Sequence, residues 1–206
     1  MNHGTTNRPP TRILGIDPGT LRTGFGVLDV SGRRIVLHES GVISGRASET
    51  AAERLGAIAG ELGGLIDRLK PACVALESSF FGKNAHSLIR LGEARGMVLA
   101  LAGGRGLAVH DYSPASVKKS VTGSGSASKE QVARALSLLL PGLGPASAVA
   151  RLDQTDAIAS AWCHAHRERG GPGDEKTSLA TGRPGAAGRP GRPGPKLPPG
   201  WKLRWR

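Results

Sequence analysis

The chain has 206 residues, of which 38% are hydrophobic and 21% charged, and its 28 Lys and Arg against 16 Asp and Glu give a formal net charge of +12. That length suits one domain with a proper core plus a tail and excludes two large domains. The basic excess favours a polyanionic partner, nucleic acid first, although charge alone does not separate such a protein from a generic basic one.

In chain order, residues 1–11 contain no signal-peptide apolar region and read as a disordered N-terminus. Arg12 to Asp17 is an apolar run ended by Pro18-Gly19, a buried strand. Thr23 to Val30 and Arg34 to Val42 are β-rich and meet across Ser31-Gly32, which predicts an antiparallel hairpin. Glu49 to Leu69 carries Leu55, Ile58, Leu62, Leu65, Ile66 and Leu69 at helical spacing, and Pro71 stops it. Ala72 to Glu77 reads as a second buried strand, Ala85 to Ala102 as a second helix and Leu107 to Asp111 as a third core strand. A short helix follows at Ser113 to Val121 with Pro114 in its first turn, then one capped at Ser128 and running to Leu140, then a last helix from Asp153 to Arg167. A hairpin followed by helix–strand alternation predicts an α/β fold: a mixed five-stranded sheet flanked by helices over residues 12–167.

After about His166 the composition turns to Gly, Pro, Arg and Lys, so residues 168–206 read as a disordered basic tail. From Arg167 onward there are ten basic and three acidic residues, so seven of the twelve net positive charges sit there and the folded part is only mildly basic. Trp201 to Arg206 interleaves Trp with Lys and Arg, a pattern suited to stacking on bases. Cys73 and Cys163 lie in apolar segments and read as buried, reduced thiols. No apolar run approaches the roughly 20 residues needed to span a bilayer, so no membrane is expected and the cytoplasm is the default compartment.

Four acids stand out. Asp17 and Glu77 each end a strand of apolar residues, where a carboxylate is costly to desolvate unless it meets a cation or hydrogen-bond donors. Asp153 and Asp156, three apart at the start of a helix, project from one face. Each has an ordinary alternative: Asp153 as a helix N-cap, Asp156 as a complement to the helix dipole, Asp17 as a turn residue, Glu77 as a strand end in water. Together, four oxygen donors with no His or Cys suit Mg²⁺ or Mn²⁺. Two such ions about 4 Å apart can activate water and stabilise a departing 3′ oxygen in phosphodiester hydrolysis.

Ile13-Leu14-Gly15-Ile16-Asp17-Pro18-Gly19-Thr20 with Thr23-Gly24-Phe25-Gly26-Val27 resembles the opening of the RuvC family of Holliday junction resolvases, which have the ribonuclease H-like fold. The resemblance continues through Ala75-Leu76-Glu77, Phe80-Phe81-Gly82-Lys83-Asn84, Leu91 to Gly96, Val117-Lys118, Gly123 to Ala127 and Asp153-Gln154-Thr155-Asp156-Ala157, covering roughly Arg12 to Arg167. It implies that Asp17, Glu77, Asp153 and Asp156 are the catalytic, metal-binding set, with two Mg²⁺ per active site and Mn²⁺ as a substitute. It also implies that Phe80 stacks on junction bases, and that Lys83, Lys118 and Lys129 contact DNA. The implied enzyme is a homodimeric endodeoxyribonuclease of recombination and repair, which nicks two strands of like polarity in four-way junction DNA and works with the RuvA and RuvB branch-migration complex.

Arg95, on the second helix, is open to two uses, a structural ion pair or a dimer contact. Two other functions compete. An actin-like-fold ATPase also begins with a strand and turn like Gly15 to Thr20, but needs a second glycine-containing phosphate loop and a longer two-lobed chain, neither of which is visible. A noncatalytic branched-DNA-binding protein has no use for four acids facing phosphate.

Overall fold

The computed structural model describes residues 9–78, 85–143 and 152–170. Most of the expected N-terminal segment and the tail beyond Gly170 lie outside them. Five strands form one sheet: β1 (Thr11–Asp17), β2 (Arg22–Ser31), β3 (Arg34–Ser44), β4 (Cys73–Glu77) and β5 (Ala108–Tyr112), in the order β3-β2-β1-β4-β5. β1, β2 and β3 pair antiparallel, whereas β4 runs parallel to both β1 and β5. The mixed sheet and the hairpin turning at Gly32, whose φ is 55°, match the sequence-based expectation. Thr11 already pairs with Val30, so the first strand starts one residue before the expected one.

Helices cover both faces. α1 (Ala51–Leu69) starts at a Thr50–Glu53 capping box, two residues inside the expected start, because Thr50 satisfies the Glu53 amide and the Glu53 carboxylate answers the Thr50 amide. It buries Ile58, Leu62, Leu65, Ile66 and Leu69, each burial worth roughly 1.5–3 kcal/mol. They pack with Leu14, Ile16, Val74 and Leu76 of the sheet, and Val98 and Ala102 of α2 (Ala85–Gly104) complete this layer. α3 (Pro114–Thr122), capped by Ser113, and α4 (Lys129–Leu139), capped by Ser128, lie on the other side with α5 (Leu152–Glu168). A single 3-10 turn, Pro141–Leu143, follows α4.

Alternation along the strands decides which residues meet α5. Ile13, Leu28, Cys73, Ala75 and Tyr112 share a core with Ile158, Ala159 and Ala161 of α5. Asp17 and Glu77 continue this same face one pleat beyond Gly15 and Ala75. Arg95 of α2 pairs with Asp111 of β5 at 2.6 Å, both side chains largely buried, which is the first of the two uses open to it.

Candidate metal centre

Two acids are placed by strand register. Ile16 lies opposite Leu76 in the parallel pair, so Asp17 and Glu77 leave the sheet as adjacent strand ends on the α5 face. The other two are placed by how closely α5 sits on the sheet. A Cβ added to Gly24, the partner of Asp17 on β2, would fall 2.1 Å from the Asp153 carbonyl oxygen. One added to Gly15 would fall 2.0 Å from the Ala157 carbonyl, and one at Gly26 only 2.5 Å from the Ile158 side chain. These strand glycines bring the helix backbone onto β1 and β2, where any side chain would hold it off. The Gln154 amide then donates to Ser40 Oγ of β3 at 2.6 Å, and Asp153 and Asp156 are delivered beside Asp17.

Electrostatics show the grouping. Burial, then the like charges of Asp156, Asp153 and Glu77, push the Asp17 carboxyl up to about 7, against the opposing pull of Lys129. Lys129 Nζ contacts Asp156 Oδ2 at 2.5 Å from the first residue of α4. Burial pulls that ammonium down, but the bond to Asp156 and the charges of Asp156, Asp17 and Glu77 outweigh it and hold it above its ordinary value. Among the described residues Lys129 is the cation in direct contact with the acids; Lys118, half-buried on α3, forms no ion pair with them.

The ordinary roles weighed for these acids fare unequally. Asp153 lies inside the first turn of α5, which begins at Leu152, and so is not its N-cap. The turn after Asp17 is braced by Thr23, whose hydroxyl donates to the Gly19 carbonyl at 3.0 Å. Asp17 is therefore left to face the other acids. Its pKa is itself a sign of fit: a divalent cation among oxygen donors relieves both the desolvation and the repulsion that raise it. Phe80 and Lys83 lie outside the described residues.

Sequence reasoning passed over Gly15, Gly24 and Gly26 as positioning residues. Their signal was present, since isolated glycines inside a strand mark close backbone approach, and Gly24 and Gly26 alternate onto one face.

A family profile described as "Crossover junction endodeoxyribonuclease RuvC" matches residues 13–164. A curated relative of that name from Nitrobacter hamburgensis is 43% identical over 157 residues, spanning 76% of this chain and 90% of its own. One from Cereibacter sphaeroides is 43% identical over 155 residues, 75% of this chain and 89% of its own. Among solved structures, Thermus thermophilus RuvC in complex with a Holliday junction substrate superposes with a TM-score of 0.71 at 34% identity, covering 77% of this chain and 95% of that one. With that, the sheet order and the carboxylate cluster find their context: the chain belongs to the RuvC family of crossover junction endodeoxyribonucleases, with the ribonuclease H-like fold.

Proposed function

We propose that this protein resolves Holliday junctions in recombination and repair, nicking two strands of like polarity with Mg²⁺ held by Asp17, Glu77, Asp153 and Asp156. The observation that carries this reading is the convergence of four carboxylates from β1, β4 and α5 at one end of the sheet, which also raises the Asp17 carboxyl. Such a cluster opposes a phosphate backbone unless cations intervene. Mg²⁺ bound there supplies Lewis acidity at the scissile phosphate and an activated water; two ions per site suit four carboxylates, with Mn²⁺ as a substitute.

The chain's own residues supply the rest. Asp17 and Glu77, fixed by strand pairing, form the rigid floor of the site, and Asp153 and Asp156 form its wall on α5. Lys129 holds one oxygen of Asp156 while its side chain stays 58% exposed, so its ammonium also faces an arriving phosphate. Lys118, Lys83 and Phe80 contribute contacts to the junction, the last by stacking on an unpaired base, worth about 1–3 kcal/mol.

A homodimer, needed for paired nicks, is supported by α2. Of its twenty residues only Ala94, Val98 and Ala102 are buried, while Leu88, Ile89 and Leu99 are exposed at 40%, 61% and 41%. An apolar helix face of this kind is suited to a second copy. We assign the RuvA and RuvB complex as partner and the cytoplasm as compartment on the family relationship; among the described residues no helix is long and apolar enough to cross a membrane.

Incubation of the purified chain with Mg²⁺ and a synthetic four-way junction, beside a linear duplex of matching sequence, tests the assignment. Paired symmetrical nicks confined to the junction are expected. Equal cutting of both substrates contradicts junction selectivity, and intact DNA in both contradicts the nuclease.

A further inference from the structure

The far end of α5 carries a second cluster, chemically unlike the first. Cys73 at the start of β4, His110 in the middle of β5 and His164 two turns beyond Asp156 on α5 bring a thiol and two imidazoles together, their ligand atoms all within 4.8 Å of one another. Strand alternation explains the convergence: Ala75 is the partner of His110 and shares a face of β4 with Cys73, and α5 lies over that face. Cys73 and His164 are buried at 6% and 5% exposure, whereas His110 on the edge strand is partly open.

We propose that Cys73, His110 and His164 form a binding site for a borderline transition-metal cation, Zn²⁺, separate from the carboxylate centre. One thiolate and two imidazoles are the donors that such an ion selects over Mg²⁺. A tetrahedral Zn²⁺ sets its ligand atoms roughly 3.3–3.6 Å apart, given bond lengths of about 2.0 and 2.3 Å. The spacing of up to 4.8 Å therefore has to contract by about 1.5 Å at most, which side-chain rotation supplies. The His110 and His164 rings, 4.3 Å apart and tilted by 31°, must turn their nitrogens toward a common point in doing so.

The surroundings are arranged for it. His164 Nδ1 lies 2.6 Å from the Tyr112 hydroxyl, which occupies that nitrogen and leaves Nε2 to ligate. Such a fixed outer hydrogen bond is what orients ligating histidines. Burial, then the charges of His110 and Arg167, hold His164 down near 4, so its ring is neutral at physiological pH. Burial and then the nearby charge of Glu168 push the Cys73 thiol up to about 12, so binding must release the Cys73 proton to solvent as the sulfur–metal bond forms. His110, the partly exposed member, marks the side from which an ion would enter. Zn²⁺ held here would tie the distal half of α5 to β5 and to β4, the strand that ends in Glu77.

Titration of the chelator-treated full-length protein with Co²⁺ reads the site directly. One equivalent should give near-ultraviolet thiolate-to-metal charge transfer and visible bands, both bleached by Zn²⁺. The absorption should vanish in Cys73→Ala and in His110→Ala, and persist in Cys163→Ala and Asp17→Asn. His110→Ala is the deciding variant should Cys73→Ala fail to fold, because it alters a partly exposed edge position; circular dichroism monitors its integrity. Absence of the charge-transfer band in the wild type, its survival in folded His110→Ala, or its loss in Cys163→Ala overturns the proposal.

Discussion

The two ends of α5 contrast in chemistry although one helix serves both. At its start, Asp153 and Asp156 join Asp17 and Glu77 in an all-oxygen cluster that raises the Asp17 carboxyl and recruits Lys129. At its finish, His164 joins Cys73, His110 and Tyr112 in a neutral pocket where burial lowers the imidazole and raises the thiol. Like charges gathered at the open end of a sheet need a cation; neutral polar groups in a core are held by one another. The acidic end is therefore the one whose like charges call for a counter-cation.

Breaking the acidic end should have the largest effect. Asp17→Asn, Glu77→Gln, Asp153→Asn and Asp156→Asn should each lower single-turnover nicking by on the order of 10³-fold or more, with junction binding changed only a few-fold. Gel-resolved cleavage and a binding assay on the same junction separate the two. Loss of binding in parallel with cleavage would point to a structural role for these acids.

The next test moves the helix instead of the acids. Gly24→Ala places a methyl 2.1 Å from the Asp153 carbonyl and should cost about 3 kcal/mol, together with most of the activity, as α5 is pushed from the sheet. Gly56→Ala, on α1 with nothing within 4 Å of the added carbon, serves as control and should instead stabilise by about 0.5–1 kcal/mol. Denaturant melts of the two variants check this; equal effects would remove the close-packing argument.

These glycines also mark what the sequence made legible. Strands, helices, the cap at Ser128 and the four acids follow from alternation, helical spacing and capping chemistry, all local signals. How near α5 lies to β1 and β2 does not, because it depends on side chains that are missing rather than on ones that are present. The Cys73, His110 and His164 cluster was illegible for a related reason. Its members come from three elements distant in sequence, and parallel pairing of β4 with β5 alone brings two of them together. Cys73 was read as a buried reduced thiol, and it is buried and free of any disulfide. Nothing in its local sequence marks the two imidazoles beside it.

A smaller effect is expected at Lys129. Lys129→Met keeps the apolar stem but removes the ammonium, and should slow nicking roughly 10- to 100-fold. Because Lys129 pulls the Asp17 pKa down, its loss should also move the pH–rate profile to higher pH. A slower enzyme with an unmoved profile would mean that Lys129 acts on DNA alone.

Stability against pH provides a weaker test in the metal-free protein. Asp17 has a folded-state pKa of about 7, above its unfolded value, so the folded state binds the extra proton. Stability is lost as pH rises from near 4 through 7, and Asp17→Asn avoids that loss. At pH 8 the variant should be more stable than wild type by about 3–4 kcal/mol relative to their difference at pH 4. Parallel curves in thermal melts at the two pH values would contradict the electrostatic picture.

The most direct measurement is a titration with Mn²⁺ followed by electron paramagnetic resonance, on the wild type, Asp17→Asn and Cys73→Ala. Immobilised Mn²⁺ is expected in the wild type and in Cys73→Ala, and is expected to be lost in Asp17→Asn. Undiminished immobilisation in Asp17→Asn would contradict the assignment of the four acids as the metal centre.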